Sequence, residues 1–198
     1  MERGHAFSIL ELLAVISLII IMLGIAFGIA DGIRQTAAHS RVCAELASLA
    51  QALEEYKIYY GDYPWIDGND PLDNAILFYA ALNGTWRWDR EAQIFVNSSK
   101  EKFFIEGTKY SLQNPDVMTA LRPDPNGDRV IIDPWENAYY YLYKNTLDQG
   151  LSWERAGFLL ISRGPDSKMG SSIPANGILD TNYFNRYTGN ADNLIYGY

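Results

Sequence analysis

FSILELLAVISLIIIMLGIAFGIA, residues Phe7 to Ala30, decides the fold, and Glu11 is its only charge before Asp31. About twenty apolar residues in a row is the length that crosses a bilayer as a helix. The run therefore predicts a transmembrane helix over 7–30. A carboxylate inside such a span costs about 2.5–3.5 kcal/mol on insertion scales and calls for a partner. A secretory signal has a shorter apolar core of about 7–15 residues, followed by a small-x-small site, and gives a placed glutamate no role.

The run does not end in a turn. Helix-forming residues continue past Asp31-Gly32-Ile33-Arg34. Val42, Leu46, Leu49, Leu53, Tyr56 and Tyr60 then recur at alternating steps of four and three. That is one apolar stripe of an amphipathic helix, with Arg41, Glu45, Ser48, Glu54 and Glu55 off it. One helix is predicted from about residue 7 to about residue 58, roughly 75–80 Å long at 1.5 Å per residue. Its first half is apolar all round and needs lipid or other helices. Its second half needs one partner surface. Gly24, Gly28 and Gly32 share a face by their spacing of four, which suits close helix contact. Gly61 and Pro64 stop the helix.

Composition narrows the rest. The chain has 198 residues, enough for one membrane helix and one modest domain. A formal net charge of −8 argues against nucleic-acid binding, which wants clustered Lys and Arg. A single cysteine, Cys43, excludes an internal disulfide, and its helical setting suggests a small packing residue. The 14 tyrosines fall mainly after residue 55, which suits half-buried positions with one wet end. No catalytic constellation is present. His39 and Cys43 lie four apart on one helix face, but two ligands do not make a zinc site.

Several motifs resemble the type IV pilin-like family. A short head, Met1 to Ala6, precedes Phe7, and Phe7-Ser8-Ile9-Leu10-Glu11-Leu12 is similar to that family's prepilin signal, with Ala6 where Gly is usual. Leu53, Tyr56, Gly61, Tyr63 and Pro64 fit its helix-end signature. Asp133-Pro134-Trp135-Glu136-Asn137-Ala138-Tyr139 resembles a segment of the major pseudopilins of type II secretion. Ser162, Gly164, Asp166, Asp192 and Asn193 match the end of their head domain.

The resemblance implies a leader, 1–6, cut by a prepilin peptidase between Ala6 and Phe7, with methylation of the new amine. It implies a transmembrane and assembly helix, 7–30, and a periplasmic head, 31–198. Phe7 and Glu11 would serve assembly, the carboxylate meeting the amine of Phe7 on a neighbouring subunit. Partners would be further copies, minor pseudopilins, an inner-membrane assembly platform and the lipid bilayer. The protein would be a single-pass inner-membrane subunit, not an enzyme, extracted into a periplasmic fibre that supports secretion or forms a pilus. The reading from another class is a membrane-anchored periplasmic binding module that never polymerises.

The resemblance also implies calcium at the Ser162–Asp166 corner, held by Asp166, Asp192, Asn193 and oxygens at Ile161 and Ser162. Ca²⁺ takes six to eight oxygens at about 2.3–2.6 Å. Asp124, Asn126 and Asp128 open like a calcium loop, but Trp135 stands where its last carboxylate belongs, so a surface turn is the better reading.

The expected fold class is α+β. A long amino-terminal helix, half transmembrane and half amphipathic, packs on a small antiparallel sheet, with a long carboxy-terminal loop. Short elements are expected at 73–82 (helix), around Asp89-Arg90 (hairpin), at 129–132 and 157–162 (strands), and in the tyrosine-rich run after Asp133.

Overall fold

The computed structural model describes residues 8–66, 70–89, 91–92, 94–97, 102–114, 129–144, 152–168, 173–174, 176–179 and 193–197, and the side chains of these except 25–31. The calls on Ala6, Phe7, Asp124 to Asp128 and Asp192 lie outside them, as does most of the expected loop from Ser167 to Gly189. The chain divides into two compact units, Met1–Ser40 and Arg41–Tyr198.

Helix α1, Ile9–Tyr60, contributes to both units. The transmembrane half is the part of the expected fold that the structure corrects. Among the described residues no helix is long and apolar enough to cross a membrane.

In the second unit α1 behaves as its stripe predicts. Val42, Leu46, Leu49, Leu53 and Tyr56 are buried, and Tyr60 packs against the same core. The helix ends at Gly61, whose φ of 87° suits a residue without Cβ and whose N–H donates to Lys57 O at 2.8 Å. Cys43, expected to pack, is exposed.

Helix α2, Pro71–Leu82, starts on an Asp70 cap that accepts the Leu72 N–H at 2.8 Å, with proline at its first position. Strands β1, Trp86–Asp89, and β2, Ile94–Asn97, form the expected hairpin. A 3-10 turn, Gly107–Lys109, leads into β3, Ser111–Gln113, which pairs antiparallel with β4, Val130–Ile132. Strands β5, Tyr140–Leu142, β6, Leu159–Ser162, and β7, Leu194–Ile195, make a three-stranded antiparallel sheet with β6 in the middle. All four residues of β6 are buried, the pattern of a strand covered on both faces. The α+β class stands: among the described residues, three small antiparallel sheets accompany the helices, with a large aromatic-rich cluster and two smaller ones buried between them.

Candidate functional site

Two places carry the sequence-predicted site residues, and each is built by different chemistry. The first is the amino end of α1. Large side chains from Ile9 to Leu23 are exposed around the helix, from 79% at Ile9 to 45% at Ile16. Ser17 Oγ donates to Leu13 O at 2.8 Å and Thr36 Oγ1 to Gly32 O at 3.0 Å, so these hydroxyls are used within the helix. A Cβ added at Gly24 or Gly32 would meet nothing within 4 Å. Glu11 is exposed, and its Oε2 accepts the backbone N–H of Ser8 at 3.1 Å.

The second place is the corner after β6. The register pairs Ile161 with Ile195 and Ser162 with Leu194. Asn193, next in line, thereby follows on from the register opposite the residue after Ser162. Asp166 Oδ1 accepts the Lys168 N–H at 2.8 Å. Ile161 lies in the middle strand, paired with Tyr140 on one side and Ile195 on the other.

The corner itself is organised by Asp133, which the sequence offered only as the start of a pseudopilin-like segment. Asp133 is 1% exposed. Its Oδ1 accepts the N–H groups of Trp135 and Asn137, both at 2.9 Å. Its Oδ2 accepts Ser162 Oγ at 2.6 Å and Asn137 Nδ2 at 3.4 Å. Asn137 Nδ2 also donates to Gly164 O at 2.8 Å. Glu136, between the two, takes φ of 66°, which lets the turn fold back on Asp133. A buried carboxylate surrounded by donors in this way is satisfied without a metal.

The described residues therefore supply only part of a calcium shell. The Ser162 hydroxyl is engaged with Asp133, and Asp166 is the carboxylate at the corner. Among the described residues no group of three or more His, Cys, Asp and Glu side chains is placed to hold a metal ion.

A second buried carboxylate was missed because it lies off the apolar stripe. Glu45 is buried on α1, accepting Tyr139 Oη at 2.6 Å and Arg41 Nε at 2.7 Å. Arg41 also donates to Ser111 Oγ at 2.9 Å. Further phenols join the same helix to the head. Ser48 and Tyr110 share a hydrogen bond at 2.8 Å, Trp88 N donates to Tyr56 Oη at 3.0 Å, and Tyr143 Oη donates to Asp62 at 2.7 Å. Burial pushes the Tyr139 phenol well above its ordinary range, and the adjoining Glu45 carboxylate adds to this. Burial does the same to Tyr56 and Tyr141, and to Tyr63 with help from Glu54.

No family model and no curated protein matches this sequence.

Proposed function

We propose that the chain is a structural subunit of a pseudopilus-like or type IV pilus-like fibre, assembled through the first half of α1. The observation that carries this reading is the exposed apolar surface of residues 9–24. Contiguous apolar patches larger than a few hundred Å² mark interaction sites, and an all-round apolar helix is one that other chains bury. The large buried cluster of the head draws on described residues from Val42 onward. The prepilin-like signal in the sequence supports the same reading, with peptidase cleavage before Phe7 and methylation there.

The test is to examine sheared surface and envelope fractions of producing cells by electron microscopy, and to sequence the amino-terminal peptide by mass spectrometry. Filaments labelled by an antibody to the head, and a methylated Phe7 terminus, are expected. A monodisperse protein with Met1 intact as the main species would favour an anchored binding module instead.

Calcium at the corner after β6 is a second proposal, supported by the adjacency of Asn193 to that corner. Asp166 and Asp192 would be its carboxylates, with Asn193 beside them. The ion would bind the folded chain preferentially and raise its stability with free calcium. The melting midpoint should fall on chelation and recover with calcium but not magnesium. Asp166→Ala should abolish that response. A midpoint indifferent to chelator, in protein shown beforehand to be metal-loaded, removes the site.

A further inference from the structure

The turn that ends α1 meets the residues after β5 at one small corner. Trp65 follows Pro64, and Tyr143 follows β5. Their rings stand nearly at right angles, 73° apart with centroids at 6.5 Å. The ammonium of Lys144 lies over both, 4.9 Å from the Trp65 centroid and 4.7 Å from that of Tyr143. Asp62 supplies a third side. Its Oδ2 accepts Lys144 Nζ at 3.2 Å, and its Oδ1 accepts Tyr143 Oη at 2.7 Å. Two aromatic faces and a carboxylate around one cation are the chemistry that recognises alkylated ammonium groups.

Two further features show that the corner is built around this cation. Trp65 Nε1 is buried and finds no acceptor among the described residues. A buried indole usually brings its N–H to a partner, so this ring is held by its faces instead. Trp88 stacks on it at 6.1 Å, and the ammonium lies over it. Lys144 takes φ of 52°, a left-handed conformation that persists for such a residue only where its surroundings impose it. Both departures are offset by the contacts of a single ammonium.

We propose that Asp62, Trp65 and Tyr143 form a binding site for a small quaternary ammonium compound of the choline class, and that Lys144 is its built-in plug. In the free chain the primary ammonium of Lys144 holds the site shut. A primary ammonium is strongly hydrated, and its stem is long and flexible, so its head can swing out into water. The side chain is already 26% exposed. A trimethylammonium group that takes its place sets methyl groups against both rings and keeps Asp62 as its counter-charge. This site is independent of the fibre reading, since every group in it belongs to the head.

The plug can be removed without disturbing the backbone, because glycine suits the left-handed angle at position 144. Asparagine tolerates that angle too and is much shorter than lysine. Choline is titrated into the parent, Lys144→Gly and Lys144→Asn, each as the full chain in a non-ionic detergent at constant ionic strength. The neutral isostere, in which tert-butyl replaces trimethylammonium, is titrated in parallel. Binding is read from the indole N–H resonance of Trp65.

A plug that fills about nine sites in ten lowers the apparent affinity about ten-fold. Both variants should therefore bind choline saturably, and about ten-fold more tightly than the parent. The isostere should bind several-fold more weakly than choline, since it lacks the charge that the rings and Asp62 attract. Equal affinity for choline in the parent and Lys144→Gly overturns the proposal, as does equal binding of choline and its isostere. Absence of saturable binding in both variants overturns it as well and leaves the corner as a structural tie between Asp62 and Lys144.

Discussion

Residues 9–24 and 42–60 belong to one helix, yet they solve opposite problems. The first stretch shows apolar side chains in every direction and has no cover within the described chain. The second hides one stripe, and the polar groups of Glu45 and Ser48 beside it and of Tyr56 on it bond to partners from the head. Helix propensity does not distinguish the two, since both are helical. What differs is the solvent each requires, and that is written in the polar positions. Every tyrosine of the chain lies at residue 56 or later. Tyr110 and Tyr139 of the head bond to the second stretch, which adds the phenol of Tyr56, and the first stretch has no tyrosine.

The contrast should break most visibly at alkaline pH. Tyr56, Tyr63, Tyr139 and Tyr141 are all held protonated above the ordinary phenol range, chiefly by burial. Their folded values lie above the unfolded value of about 10. Their contribution to stability is therefore fully present below about pH 10 and lost as pH rises through the folded values. Part of the phenolate absorbance should stay withheld and then appear together with unfolding of the head. A smooth titration of all tyrosines near pH 10 would contradict this.

A smaller effect separates the two stretches by mutation. Leu53→Ala, at a fully buried position, should cost the head about 4 kcal/mol in denaturant unfolding. Leu13→Ala, at an exposed position, should leave the same transition unmoved within about 0.5 kcal/mol. Equal losses would mean that both stretches are buried alike.

Asp133→Ala should cost about 3 kcal/mol by the same measurement, since it strands the donors of Trp135, Asn137 and Ser162 in a dry place. Ser162→Ala removes a single donor and should cost less than half as much. Reversal of that order would mean that the serine, not the carboxylate, organises the corner.

What was legible in the sequence follows from distance along the chain. The stripe from Val42 to Tyr60 repeats locally, so its period gave the buried face and the stop at Gly61. The hairpin at 86–97 and helix α2 were marked by their own turn and cap residues. Glu45 was read as solvent-facing because its partner, Tyr139, is 94 residues away. Asp133 was not read as a buried acceptor because Ser162 is 29 residues away. The transmembrane span was an inference from run length, and among the described residues no helix is long and apolar enough to cross a membrane.

Asn74 gives the sheet a property beyond its size. It is fully buried on α2, and its side-chain amide bonds both ways with one residue of β5. Nδ2 donates to Tyr141 O at 2.7 Å, and Oδ1 accepts the Tyr141 N–H at 3.1 Å. A side chain stands there in the place of a fourth strand. An unpaired strand edge is a template on which another chain can lay itself down. With the Tyr141 amide and carbonyl already taken, a protein stored at high local concentration has one fewer place to begin sticking, edge to edge, to its own copies.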